Sequence, residues 1–164
     1  MMKIKYPHIR KAKSADYESV NSLYYFTYNI YHKNIPETYK TTPETLLSRG
    51  TYLNILEDKN ALLIIAELDN KPIGLLYAII ESDEDDDVTY GYHRVSVEEI
   101  SVHPDYRNHN IGTALMKEVE NWAKDNKIAD LTSLVYAFNQ KAVNFYKKNG
   151  YKPYSIKINK KLSE

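Results

Sequence analysis

The chain has 164 residues, with 22 basic and 22 acidic side chains and no cysteine. That length fits one domain, 1–164, able to bury a core without staples. The balanced charge argues against a nucleic-acid surface, and the missing thiols exclude disulfides, thiolate metal sites and a cysteine nucleophile. No apolar run approaches the roughly 18 residues of a membrane span, and the basic start MMKIKYPHIRKAK lacks the apolar centre of a secretory signal. A cytoplasmic protein with no membrane or nucleic-acid partner is the expectation.

A first strand is predicted over Ile4–Arg10. Ser14–Asp16 then supplies helix-start chemistry, and Val20, Leu23, Tyr24, Thr27 and Tyr31 recur at helical spacing until Asn34 and Pro36. Thr42-Pro43-Glu44 reads as a second helix start, leading into Leu46–Leu56. ALLIIAEL (Ala61–Leu68), the turn Asp69-Asn70-Lys71 and Pro72–Ile80 read as a hairpin whose consecutive apolar residues imply cover on both faces. The acidic stretch Glu81–Asp87 reads as a solvated loop, with a rim attracting a cationic substrate as its functional alternative.

Val88–Val102 is the next strand, stopped by His103-Pro104. Ile111, Ala114, Leu115, Val119, Trp122 and Ala123 mark an amphipathic helix ending near Asn126. Leu131–Ala137 reads as a strand. Asn139 caps a helix carrying Ala142, Phe145 and Tyr146, which Asn149-Gly150 closes, and Tyr151–Leu162 reads as a last strand. The order is β-α-α-β-β-β-α-β-α-β.

The entry into the helix after Val102 is unusual in its donors. HPDYRNHNIGTALM (His103–Met116) turns from strand to helix through small polar residues. The first helical N–H groups have no intrahelical partner there, and with the positive helix end they suit an anion. Arg107 adds charge, Gly112 permits close backbone approach, and Asn110 tolerates the left-handed conformation. His93, His103 and His109 match no common metal-ligand spacing, so no metal is expected.

VHPDYRNHNIGTALM resembles motif A of the GNAT superfamily of N-acetyltransferases, in which an Arg or Gln is followed by a Gly-x-Gly/Ala turn after a strand ending Val-x-Pro. Arg107 and Gly112 match, and Asn110 stands where the first Gly is usual. NQKAVNFYKKNGYK is similar to the second family signature at Asn139, Ala142, Tyr146, Gly150 and Tyr151. The resemblance implies a GNAT-type α/β (α+β) fold, with a mostly antiparallel central sheet of six to seven strands and helices on both faces. It also implies acetyl-CoA as co-substrate. The backbone at Asn108, His109, Asn110, Ile111, Gly112 and Thr113, with Arg107, would hold the pyrophosphate. Ile100, Ser101 and Val102 would pair with the pantetheine arm as an added strand, and Asn139 would bond that arm.

By the same resemblance Tyr146 is the general acid for the departing thiolate, and a strand carboxylate, Glu98 or Glu99, is the base. Adjacent strand residues point to opposite faces. The pattern Val97-Glu98-x-Ile100 favours Glu98, and a bulge would exchange the two. Tyr24, Tyr28 and Tyr31 are expected at the acceptor, with Tyr25, Tyr90 and Tyr92 as further candidates. The leading expectation is transfer of acetyl to a primary amine of a small molecule (amino acid, polyamine or amino sugar) in a ternary complex. The alternatives are acetylation of protein N-termini or lysines, and a CoA-binding module without turnover. The family resemblance leaves room for a homodimer.

Overall fold

The computed structural model describes residues 6–40 and 45–162. The chain forms two compact units that divide after Leu134.

The first unit is built on one five-stranded sheet. Its strands are β1 (His8–Lys11), β2 (Ala61–Leu68), β3 (Lys71–Asp83), β4 (Tyr92–Val102) and β5 (Asp130–Ser133), paired in that order. Every pairing is antiparallel except β4 with β5. The sequence-based expectation of six to seven strands is therefore too high. The predicted strand Tyr151–Leu162 enters no ladder. Alternation marks a segment competent to be a strand, but a strand forms only where an edge receives it.

Three other boundaries shift. β3 runs through Glu81–Asp83, where acidic composition suggests a loop. The Arg94 guanidinium meets Glu81 at 2.9 Å and offsets one of those charges. β4 begins at Tyr92 rather than Val88, because Asp86 folds the hairpin end into a turn by accepting from the N–H groups of Val88 and Thr89. β5 stops at Ser133 instead of Ala137. The predicted helix start Thr42-Pro43-Glu44 lies outside the described residues.

Helices α1 (Tyr17–Asn34) and α2 (Arg49–Glu57) cover one sheet face, and α3 (Ile111–Asp125) packs on the other. On the first face Leu63, Ile65 and Leu75 meet Val20, Leu23 and Tyr52 in one buried cluster. Cross-strand register explains the sorting. Leu63 pairs with Tyr77 and Ile65 with Leu75, so odd-numbered residues of both strands share that face. Gly74 belongs to the opposite face, where a Cβ would lie 3.2 Å from the Ser101 carbonyl and 3.4 Å from Ile111 and Leu115. Its bare backbone lets α3 sit close against the end of β4.

The second unit contains α4 (Gln140–Lys148). The side chain of Asn139 accepts from the Ala142 N–H at 3.2 Å and closes its first turn. Gly150, at φ 87°, ends it, with its N–H donating to Lys147.

Candidate active site

β4 leads out of the sheet into the turn that begins α3. His103 accepts from the Asp105 N–H, and a short helical turn over Pro104–Tyr106 follows. Two residues of the next four lie in the left-handed region, Asn108 at φ 64° and Asn110 at φ 60°. Asparagine reaches that region more readily than other side chains, so Asn110 performs the turn for which glycine is usual. Asn110 is the N-cap of α3, yet its side chain makes no capping bond. By contrast, Ser48 accepts from the Thr51 N–H at the start of α2. The first turn of α3 thus follows an exposed loop, Arg107 through Asn110, without a side-chain cap. The Arg107 Nε donates to the Val102 carbonyl at 2.9 Å, which folds the guanidinium back over the strand end.

The backbone of β4 beside this loop is paired on one side only. Ile100, Ser101 and Val102 face Leu76, Leu75 and Gly74 of β3. On the other side β5 pairs with Arg94–Val97 and no further. The Ser133 hydroxyl donates to the Val97 carbonyl at 2.9 Å and closes that short ladder. Beyond it, among the described residues, no strand occupies this edge of β4. The Ser101 side chain serves the fold: it is buried, and its hydroxyl donates to the Leu23 carbonyl at 2.7 Å, tying α1 to β4.

A register shift between Tyr77 and Ala78 separates the two carboxylates. Tyr77 pairs with Glu99 and Ala78 with Val97, leaving Glu98 as the extra residue of a bulge. Glu98 is exposed and accepts from the Ser96 hydroxyl. Glu99 turns to the α1 face. Its Oε1 is buried without a hydrogen-bond partner, while the carboxyl accepts from the Thr27 side chain and the Ile100 N–H. Burial disfavours the charged form and pushes the Glu99 carboxyl up to about 7, against the lowering effect of those two bonds. Tyr24 of α1 and Tyr77 of β3 both feel carboxylate charge, Tyr24 chiefly that of Glu99, and burial raises both phenols above their ordinary value.

Of the predicted acceptor residues, Tyr24 therefore lies in the electrostatic field of Glu99. Tyr28 and Tyr31 meet elsewhere, around Tyr39, with ring centroids at 5.6 and 5.2 Å, and Tyr25 joins Tyr28 at 6.3 Å. The Tyr28 hydroxyl donates to the Lys40 carbonyl. Sequence reasoning did not select Thr27 and Tyr77 as site residues. Thr27 was legible in principle, three residues after Tyr24 on the same helix face, but Tyr77 depends on strand register. The three histidines go separate ways: His93 bonds Ser82, His103 stacks edge-on against Phe26, and His109 is exposed.

In the second unit Asn139 spends its side-chain oxygen on the helix cap, which leaves its NH2 group as the donor. Tyr146 is buried on α4 and packs edge-to-face with Phe145 and Tyr151 at 5.4 and 5.2 Å.

A mixed sheet thus leaves, among the described residues, an edge of β4 without a paired strand, beside a helix start without a side-chain cap. The model of the acetyltransferase (GNAT) family matches residues 24–151, and the chain belongs to that family. Its fold is shared with a mutant of the BH1408 protein from Bacillus halodurans, at 17% identity and a TM-score of 0.91, covering 95% of this chain and 99% of that one. The aminoglycoside 6'-N-acetyltransferase AAC(6')-IG from Acinetobacter haemolyticus aligns at 21% identity and a TM-score of 0.66, over 95% and 99% of the two chains. An aminoglycoside acetyltransferase from an uncultured soil sample, in complex with sisomicin, aligns at 12% identity and 0.72, over 96% and 97%. No curated protein sequence matches the chain. Among the described residues no helix is long and apolar enough to cross a membrane.

Proposed function

We propose that the protein is an acetyl-CoA-dependent N-acetyltransferase that acetylates a primary amine of a small molecule. The observation that carries this reading is the stretch 98–102 of β4, where a strand edge without a partner adjoins a buried carboxyl of raised pKa. The bare edge suits an amide-rich pantetheine arm, which can pair with it as an extra strand. The amides from Asn108 to Thr113, which span the exposed loop and the start of α3, and the α3 dipole suit the pyrophosphate, and Arg107 supplies a positive charge beside them. The NH2 group of Asn139 is a donor for the same arm.

Glu99 is the better base of the two carboxylates. An alkyl ammonium holds its proton to pH ~10 and must lose it before attack. A carboxylate poised near neutrality can take that proton, through water, and hold it as a neutral acid. Exposed Glu98 has no comparable environment. The freed nitrogen lone pair forms the new C–N bond at the thioester carbonyl, the C–S bond breaks, and the Tyr146 phenol protonates the leaving thiolate. A chain without cysteine has no thiol to carry the acetyl group, which favours direct transfer in a ternary complex. Aminoglycoside acetyltransferases among the structural relatives support a small polar amine as acceptor.

Thiol release from acetyl-CoA, followed with a panel of amino acids, polyamines, amino sugars and lysine peptides, tests the reading. Turnover on a small amine with intersecting double-reciprocal lines is the expected result. CoA release with peptides alone, or an acetylated enzyme trapped without acceptor, overturns it. Tyr146→Phe should keep CoA binding and lose most turnover.

A further inference from the structure

By its own chemistry Thr27 is a poor residue for the middle of α1. A β-branched side chain loses rotamer freedom there, and a hydroxyl inside a helix ordinarily donates to the carbonyl four residues back. Ser22 does so, to Glu18 at 2.9 Å. For Thr27 that carbonyl belongs to Leu23, and both of its lone pairs are taken. One serves the helix ladder, and the other receives the Ser101 hydroxyl at 2.7 Å. The Thr27 hydroxyl is turned to another helix-facing acceptor, the Glu99 carboxyl.

The two ties between α1 and β4 are matched in length. Leu23 to Thr27 is one helical turn, about 6 Å. Ser101 to Glu99 is two residues of strand, about 6.6 Å, on one sheet face. The contact that buries Ser101 therefore also brings Thr27 to Glu99. Both donors to this carboxyl fall on one oxygen: Oε1 is buried without a hydrogen-bond partner, so the Thr27 hydroxyl and the Ile100 N–H share Oε2. The ionisable groups that face it are the Tyr24 phenol from α1, the Tyr77 phenol from β3 and, on its own strand, Glu98. None of these is a cation, so within this group only the two hydrogen bonds favour the charged form.

We propose that Thr27 is a positioning residue: with the Ile100 N–H it pins Oε2 of Glu99 and leaves Oε1 as the oxygen that takes the proton. This rests on the reading of Glu99 as the base. The bond also sets when that base is available. A donor to the carboxylate lowers its pKa, so removing the donor moves ionisation to higher pH, further above about 7.

Thr27→Val keeps the shape and loses the donor, and Thr27→Ser keeps the donor. In Thr27→Val the rising limb of kcat/KM should move about one pH unit upward, the scale of a lost hydrogen bond to a charged group. At pH 7 that is a loss of about fivefold, which closes above pH 9, with KM for acetyl-CoA unchanged. Thr27→Ser should hold the limb where the wild type has it. A limb unmoved in Thr27→Val, or moved equally in Thr27→Ser, overturns the proposal, because a merely structural role lowers the plateau without shifting the limb. Carbon-13 NMR of the Glu99 carboxyl, assigned with Glu99→Gln, gives the same test without turnover: its midpoint should rise in Thr27→Val and stay in Thr27→Ser. A third readout needs no folded Thr27→Val. In the wild type the Thr27 methyl signal should titrate with the Glu99 midpoint, and a methyl blind to that titration overturns the pinning. Should Glu99→Gln keep the wild-type rate limb, the base assignment itself fails, and the two NMR titrations still decide whether Thr27 pins Glu99.

Discussion

Two neighbouring parts of the first unit handle polar groups in opposite ways. At Glu99 a carboxyl is taken out of water and keeps one oxygen unbonded, so its charge is suppressed. At the loop from Arg107 to Asn110, backbone donors are held out in solvent by two left-handed asparagines, at little cost while water satisfies them. In the proposed reading the first region holds the proton acceptor, which burial keeps near neutrality. In the same reading the second is where the anion of the co-substrate docks. Substitutions in the two should therefore separate: those at Glu99 change turnover and its pH profile, those in the loop change affinity for CoA.

The largest expected effect is at Glu99. Glu99→Gln should lower kcat/KM for the amine by about 100-fold, the scale of a lost general base, while leaving CoA binding unchanged by calorimetry. The wild-type kcat/KM should climb with pH to half its plateau near 7, as Glu99 loses its proton, and the variant should lack that limb. Stability moves the other way. A carboxyl raised from 4.5 to about 7 by folding binds more protons in the native than in the unfolded state between those values, so it costs stability as pH rises through that window. Glu99→Gln should recover up to about 3 kcal/mol at pH 8, read from denaturant unfolding. A variant less stable than wild type at pH 8 would break the comparison at its buried end.

Asn110→Val comes next. A β-branched residue in the left-handed region costs on the order of 1–3 kcal/mol, and CoA should bind roughly 10-fold more weakly, with kcat retained at saturation. Asn110→Gly should bind CoA as well as wild type, because glycine adopts the same φ without strain. Arg107→Ala should raise KM for acetyl-CoA only about threefold at low salt, less at high salt, since exposed charges are screened. Smallest of all, Glu98→Gln should leave kcat/KM within about twofold, because its carboxylate is solvated and lies on the bulge. A larger loss at Glu98 than at Glu99 would reverse the assignment of the base.

Much of this is legible in the residues themselves. β2 can be read to the residue, because eight consecutive apolar-rich positions between two turns leave little freedom. α3 is legible from Ile111, Leu115, Val119 and Ala123, whose spacing admits one periodicity. The loop ahead of it can be read as an anion cradle, and Asn110 as tolerant of left-handed backbone. The carboxylate pair is visible but not sorted. Val97-Glu98-x-Ile100 favours Glu98 only if the strand alternates without interruption, and the extra residue opposite Tyr77 and Ala78 shifts Glu99 under α1. Acidity misleads at Glu81–Asp83, since local charge predicts loop while Arg94 lies across the ladder.

Sequence by itself determined the alternation, the helix faces, the tolerance of Asn110 for left-handed backbone and the absence of any thiol, all properties of a residue and its near neighbours. Tertiary structure decided which carboxylate is buried, where β5 leaves β4, and how many strands find a partner. Those outcomes depend on hydrogen bonds and contacts between segments far apart in the chain. A residue's own chemistry sets what it can do beside another group, and only the packing of distant segments sets which group that is.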